Sequence, residues 1–200
     1  MEKTIKQEDI KEQMKKPDET GGVLVEGHLK IFDPNNEEIF VDKRNAIHYE
    51  NFSNSLAQAM ANKDLGYIYQ MSFGNGGSSV DTTGVITYLP PNISGQNADL
   101  YNETYEKIVD DTSAANTDTT RNKLTVLHTS GKVYTDILVS CLLDYGEPSG
   151  QQAFDNSTDL DGDYVFDELG LKTWQGSADN LDLVTHVVFH PVQKSLNRQI

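Results

Sequence analysis

Hydrophobic positions recur with a period of two through most of this chain and with a helical period in one place only. Val23, Val25, Leu29 and Ile31 fall on one face, Asp33-Pro34-Asn35-Asn36 supplies turn chemistry, and Ile39-Phe40-Val41 resumes the alternation, which predicts a β-hairpin. From about Tyr49 to Lys63 the period becomes helical: Phe52, Leu56, Ala59 and Met60 share a stripe, Ala57, Gln58 and Ala61 favour helix, and Gly66 offers a stop. Strands are predicted again at Tyr67 to Phe73 and at Val85 to Leu89, where Pro90-Pro91 ends the run. Leu124 to His128, a turn at Ser130-Gly131 and Val133 to Leu143 follow, with Val133, Thr135, Ile137, Val139, Cys141 and Leu143 on one face. Tyr164 to Leu169 and Leu183 to Phe189 complete at least seven strands against one helix. That balance predicts a mainly β chain, an antiparallel β-sandwich with one α-helix after the first hairpin.

Two stretches break the pattern. In residues 1–22 Lys and Glu alternate, the only large apolar residues after Met1 are Ile5, Ile10 and Met14, and Pro17 and Gly21-Gly22 close the segment. Ile10 and Met14 share a helical face, but two apolar residues cannot bury a helix against a body, so a charged N-terminal arm is expected. From Pro90 to Asn122 the only large aliphatics are Ile93, Leu100, Ile108 and Val109, with one short strand around Tyr105 to Val109. A compact domain seldom carries so long an irregular segment, so this excursion is expected to spread over a neighbouring molecule. The organisation read from sequence is thus an arm, 1–22, and a β-rich body, 23–200, with an extended excursion, 90–122.

Composition narrows the function classes. Sixteen Lys and Arg against 31 Asp and Glu leave a formal charge of −15, which disfavours general nucleic-acid binding and an anionic bilayer. No apolar run approaches the ~18 residues of a membrane span, and Met1 to Lys6 lacks the apolar stretch of a signal peptide. The single cysteine, Cys141, cannot form an intramolecular disulfide, which fits folding in a reducing cytoplasm, and its place in a strand pattern reads as a core thiol.

Few motifs carry chemistry. Gly74-Asn75-Gly76-Gly77 leaves a strand as phosphate-binding loops do, yet no Lys-Ser/Thr pair and no helix follow to hold a phosphate, so it reads as a tight strand exit. With Gly162 as the sixth position of a calcium loop, Asp159, Asp161 and Glu168 fall at positions three, five and twelve. Ser157 stands where the first carboxylate belongs and no helix precedes it, so an acidic hairpin turn competes with an isolated calcium site. Glu168, if it lies in the strand, faces away from that loop as easily as toward it. His186 and His190 alternate in a strand, which sets their Cα atoms about 13 Å apart, too far for one zinc. These two, with His28 and His48, read as solvated or core-edge histidines. The abundant carboxylates could hide a glycosidase pair, but no pair has a local signature, and no catalytic constellation emerges.

Several stretches together resemble a family. Asn45-Ala46-Ile47-His48 leading into Leu56-Ala57-Gln58-Ala59, and then Ile68 through Gly77, resemble the opening of a group of tailed-bacteriophage virion proteins. Tyr164-Val165-Phe166-Asp167-Glu168-Leu169-Gly170-Leu171, followed by Phe189-His190-Pro191-Val192-Gln193-Lys194-Ser195, is similar to their "E-(I/L)-G-L … F-x-P-(I/V)-x-K" pattern. The resemblance implies a β-rich, non-enzymatic structural subunit, present in several copies around the neck, collar, tail or baseplate and assembled in the host cytoplasm. It carries over no catalytic, cofactor or ligand residues. Related sequences continue past the Lys-Ser segment with one more strand, whereas this chain stops at Gln199-Ile200, so either a short last strand begins at Asn197 or a C-terminal portion is missing.

The leading expectation is therefore a phage neck, collar or tail-associated ring component that contacts further copies of itself and other virion proteins. A head-surface decoration protein is the alternative within that class. A calcium-stabilised module that binds a receptor or glycan through Asp159, Asp161, Tyr164 and Phe166 is the alternative outside it. For assembly, Gly74, Asn75, Gly76, Gly77, Pro90 and Pro91 are the backbone-shaping positions, and Tyr101 and Tyr105 are the candidate interface anchors, since aromatics are enriched at interfaces.

Overall fold

A computed structural model describes residues 22–149 and 165–200. The order is β1 (Gly27–Phe32), β2 (Ile39–Ile47), α1 (Tyr49–Met60), β3 (Ile68–Gly74), β4 (Ser78–Val80), β5 (Ile86–Tyr88), β6 (Glu103–Ile108), β7 (Lys123–Leu127), β8 (Asp136–Ser140), β9 (Val165–Ser177) and β10 (Asn180–Gln193). The chain is mainly β, with the single described helix directly after the first hairpin, as predicted. Six strands form one antiparallel sheet in the order β1-β2-β10-β9-β3-β6, and β4-β5 and β7-β8 are separate two-stranded ribbons.

The central hairpin is β9-β10, turned at Ala178-Asp179 and longer than the two strands the sequence predicts there. Its register fixes which side chains share a face. Phe73, Leu169 and Val187 stand in one row across β3, β9 and β10, while Ser72, Gly170 and His186 stand in the adjacent row on the opposite face. The first face is the hydrophobic core, with Val109, Leu143, Phe166 and Phe189 buried against it and Leu124, Val139 and Cys141 of the β7-β8 region at its margin. Each of these large side chains, once fully buried, contributes roughly 1.5–3 kcal/mol. β3 is buried on both faces from Tyr69 to Gly74, so something must also cover the second, polar face.

That cover is the excursion. Residues 92–102 run over the polar face, 103–108 add β6 to the sheet edge beside β3, and Val109 is fully buried. The expectation that 90–122 spreads over a neighbour is corrected: this stretch wraps its own sheet. Its scarcity of aliphatics misled because side chain to backbone bonds do the anchoring. The Asn116 amide donates to the carbonyls of Asp110 and Asn122, and Asn122 Oδ1 accepts from the Leu142 N–H at 2.8 Å.

The helix also departs from its apolar reading. Its buried residues are Asn51 and Ser55, whereas Met60 is 80% exposed. Asn51 Nδ2 donates to the Leu183 carbonyl at 3.0 Å and Ser55 Oγ lies 2.7 Å from Thr173 Oγ1, so polar bonds seat α1 on the end of the β9-β10 hairpin. His48 caps it, accepting from the Asn51 N–H. The helix ends at Ala61, and Gly66 serves a different purpose: with φ +82° it brings the chain back so close that a Cβ there would collide with the Ser55 backbone. No strand forms from Asn197; instead the Ile200 and Leu143 backbones exchange two hydrogen bonds. The sheet is open, with β1 and β6 at its edges.

Candidate functional site

Glu168 and His186 lie at the centre of the polar face, and neither side chain reaches solvent. Their strands are hydrogen-bonded neighbours, and Glu168 sits two rows from His186 on the same face. His186 Nε2 lies 3.0 Å from Glu168 Oε2, and His186 Nδ1 lies 2.7 Å from the Asn92 backbone nitrogen. An N–H pointing at Nδ1 leaves that atom as an acceptor, so the imidazole is neutral with its proton on Nε2, donated to the carboxylate. Glu168 Oε2 also accepts from the Tyr101 N–H at 2.9 Å, and Oε1 accepts from the N–H groups of Asn102 at 2.8 Å and Gly76 at 3.1 Å. Burial pushes the Glu168 carboxyl upward, but the bonds from His186, Asn102, Tyr101 and Gly76 outweigh it and hold the group below the ordinary glutamate range.

The glycine loop after β3 is the other half of this arrangement. Gly77 N–H donates to Asp167 Oδ1 at 2.9 Å, and the Ser78 N–H and hydroxyl both donate to Asp167 Oδ2. Burial raises the Asp167 carboxyl above its ordinary range in spite of these donors, with the neighbouring Glu168 charge adding to the rise. The loop, read from sequence as a tight strand exit, does turn its N–H groups on anions, and those anions are the chain's own carboxylates. Close approach is what requires the glycines: a Cβ on Gly74 would meet Glu168 Oε1 and the Asn102 carbonyl oxygen at 2.5 Å. Gly170, between Glu168 and Lys172 in β9, leaves similar room for Leu100 and Leu183.

Lys172 extends the layer toward the β6 edge. Its ammonium sits 2.5 Å from Glu103 Oε2 and 2.7 Å from Asp99 Oδ1, and Gln70 Nε2 donates to Glu103 Oε1 and Ser72 Oγ. Burial would lower the lysine, yet the two carboxylates raise it above its ordinary value, so it stays charged. A carboxylate beside an imidazole can serve as a general-base pair, but only with a free lone pair and room for substrate. Here both carboxylate oxygens and both ring nitrogens are occupied by the protein. The arrangement fastens the glycine loop and residues 92–102 onto the sheet.

The structure distributes the sequence candidates unevenly. It brings together Gly74, Gly76, Gly77 and Tyr101 around Glu168, and Asn75 joins Asn102 through its backbone and side chain. Glu168 is committed to this cluster instead of a calcium loop; Asp159, Asp161 and Tyr164 lie outside the described residues, as does the arm up to residue 21. Tyr101 donates its hydroxyl to the Pro90 carbonyl and lays its ring 5.7 Å from His186, and Pro91 stands beside that turn, half-buried. Tyr105 packs against Phe73, and burial, with Glu147 adding, pushes its phenol up to about 12. Both tyrosines are thus engaged within the chain. Burial likewise pushes Cys141 up to about 12, in keeping with a core thiol. The reading of His28, His48, His186 and His190 as solvated or core-edge is corrected for two of them: His48 and His186 are fully buried, while His28 and His190 are outside, bonded to Asp42 and Tyr88.

Sequence reasoning missed the site formed by His186, Asp167, Lys172 and Ser72. One signal was available: Asp167-Glu168 interrupts the otherwise apolar run from Val165 to Leu171, and adjacent carboxylates in a strand buried on both sides require buried partners. Among the described residues no three His, Cys, Asp or Glu are placed to hold a metal, and no helix is long and apolar enough to cross a membrane.

The outer surface carries the opposite anomaly. Val126 and Ile137, paired across β7 and β8, are 69% and 57% exposed, and Leu127, Val133, Tyr134 and Leu138 are exposed beside them. On the main sheet, Phe40, Val41, Phe189 and Tyr88, with Asp42, Lys43 and His190, line an open groove of about 370 Å³. Compared with protein families, characterised proteins and solved structures, the chain gives no match.

Proposed function

We propose that this chain is a structural subunit of a tailed-phage particle, most simply a neck, collar or tail-associated ring component that works by assembly. The observation that carries the reading is the exposed apolar ribbon β7-β8 on a molecule whose buried Glu168 and His186 side chains are bonded internally. Exposed apolar surface of this extent is characteristic of protein contacts. The resemblance of residues 45–77 and 164–195 to virion structural proteins supplies the class of particle. The calcium-stabilised binding module is weakened, because Glu168, its twelfth-position ligand, is held by four protein donors.

Quantitative mass spectrometry of purified particles tests the reading. A ring gives about six or twelve copies per particle, and head decoration gives on the order of hundreds. Absence of the chain from purified particles sinks both.

A further inference from the structure

We propose that residues 92–102 form an acid-sensitive strap, held at its Asn92 end through two buried imidazoles that must be neutral and released from the sheet when those rings are protonated. The two ends of the strap are fastened by different chemistry. At the far end, Tyr101 and Asn102 give their N–H groups to the Glu168 carboxylate, and Asp99 pairs with Lys172 at 2.7 Å. Those bonds need charged groups. At the near end, the Asn92 N–H donates to His186 Nδ1 at 2.7 Å, and the Gly95 carbonyl oxygen lies 2.9 Å from His48 Nε2. The Gln96 carbonyl accepts from the Asn51 side chain at 3.3 Å.

Both rings are fixed in the same tautomer. His48 Nδ1 accepts from the Asn51 N–H at 3.2 Å, so its proton sits on Nε2 and is donated to Gly95, as that of His186 is donated to Glu168. A second proton on either ring lands on Nδ1, against an N–H that already points there. On His186 it ejects the Asn92 N–H directly. On His48 it breaks the cap of α1 and displaces Asn51, whose side chain holds Gln96. Neither ring reaches solvent, so a charged ring finds a new acceptor only if the displaced donor moves away.

The surroundings accept the charge and leave the strap as the part that yields. Glu168 of β9 faces His186 Nε2, and Lys172 of the same strand is paired with Asp99 and Glu103. Asp167 is turned to Gly77 and Ser78, and the Tyr101 ring lies 5.7 Å from the imidazole. Beside His48 stand Asp182 of β10, whose charge the ring favours, and Glu50 in the first turn of α1. These mostly acidic groups stabilise an imidazolium once the N–H at Nδ1 has left. The near-end bonds are therefore complete above about pH 7 and are opposed below about pH 6.5, where an imidazole in water takes up its charge. Glu168 is held below the ordinary glutamate range, so the far end stays fastened through that interval.

The test is amide exchange by NMR on the full chain at about pH 7.5 and about pH 5.5, read as protection factors so that the pH dependence of the chemical rate is removed. The Asn92 and Asn51 amides should lose roughly tenfold or more in protection at the lower pH, while Tyr101 and Asn102 change less than about twofold. In the same samples the ring nitrogens of His48 and His186 should report the Nε2–H tautomer at the higher pH and the charged ring at the lower. His186→Asn places an amide oxygen near the position of Nδ1 that accepts from Asn92 and takes no proton, so Asn92 should stay protected at both pH values. His48→Asn should do the same for Asn51. Unchanged Asn92 protection in the wild type would overturn the proposal. So would an equal loss at Tyr101 and Asn102, the mark of general opening, or a loss in His186→Asn as large as in the wild type. If neither variant folds, the wild-type contrast between Asn92 and Tyr101 decides alone.

Discussion

The polar centre of the sheet and the β7-β8 ribbon invert the usual placement of residues in opposite ways. Glu168, His186 and Lys172 are charged or polar and buried, while Val126, Ile137 and Val133 are apolar and exposed. Both are the informative exceptions to hydrophobic burial, and they teach different things because one is complete and the other is not. Each hydrogen-bonding position of the Glu168 and His186 side chains is filled by the same chain, which leaves no site for a ligand and makes the cluster a fastening. The ribbon's outer apolar pair, Val126 and Ile137, has no partner among the described residues, while the inner pair on the same face packs against the core.

The largest effect that can break this comparison is Glu168→Ala. It strips the acceptor from three backbone N–H groups and from the buried imidazole, and we expect a loss of about 3–5 kcal/mol in urea unfolding. If the variant is too unstable to purify, Glu168→Gln, which keeps the acceptor oxygen for part of the network, should fold with a smaller loss. A change below about 1 kcal/mol for Glu168→Ala would show that residues 92–102 and the glycine loop are held by other means.

The outline of the fold was legible in the sequence because alternation survives wherever one face is apolar: β1-β2, β3, β7-β8 and the start of β9 all announce themselves. The centre was not, for a physical reason. Ser72, Gly170 and His186 form one row of the sheet only because β3 aligns with the β9-β10 hairpin far along the chain, and strand register does not show in any one of them. Helix α1 was recognised by propensity but misread in orientation, since Asn51 and Ser55 are buried through hydrogen bonds that hydrophobic periodicity does not register. The excursion was legible in part: the short strand expected around Tyr105 to Val109 forms as Glu103 to Ile108, but its ladder bonds to β3, which place it on the chain's own sheet, leave no mark in the sequence. The alternation of Val133 to Leu143 was real, but alternation gives the face and not what covers it.

A change of pH sharpens the comparison at intermediate size. Glu168 titrates below its ordinary value of 4.5, so its charged form stabilises the fold; that contribution is complete above about pH 5 and is lost as pH falls through the lowered value. Asp167, raised by burial, has the opposite sign: its charge opposes folding near neutrality, and protonation relieves it. Measuring the wild type alone would mix the two. The stability gap between wild type and Glu168→Gln isolates the first, and it should narrow between about pH 7 and about pH 3.5. A gap that is constant across that range would mean that the Glu168 charge contributes nothing and that only its shape as an acceptor matters.

The smallest expected effect is the one that most directly separates the two regions. Val126→Lys/Ile137→Lys, measured at dilutions where the chain is monomeric, should shift the unfolding free energy by no more than about 0.5 kcal/mol, because both side chains already stand in solvent. One residue pair inward on the same face, Leu124→Ala should cost about 1–3 kcal/mol, since Leu124 packs against the core. The comparison keeps to one face of one ribbon, and the harsher substitution, to charge, is made where no described part of the body lies beneath. If the outer substitutions cost as much as the inner one, the stripe is covered within the monomer. If the outer pair is silent in unfolding, its apolar character is surplus to the fold, and the requirement for it lies in whatever the ribbon touches.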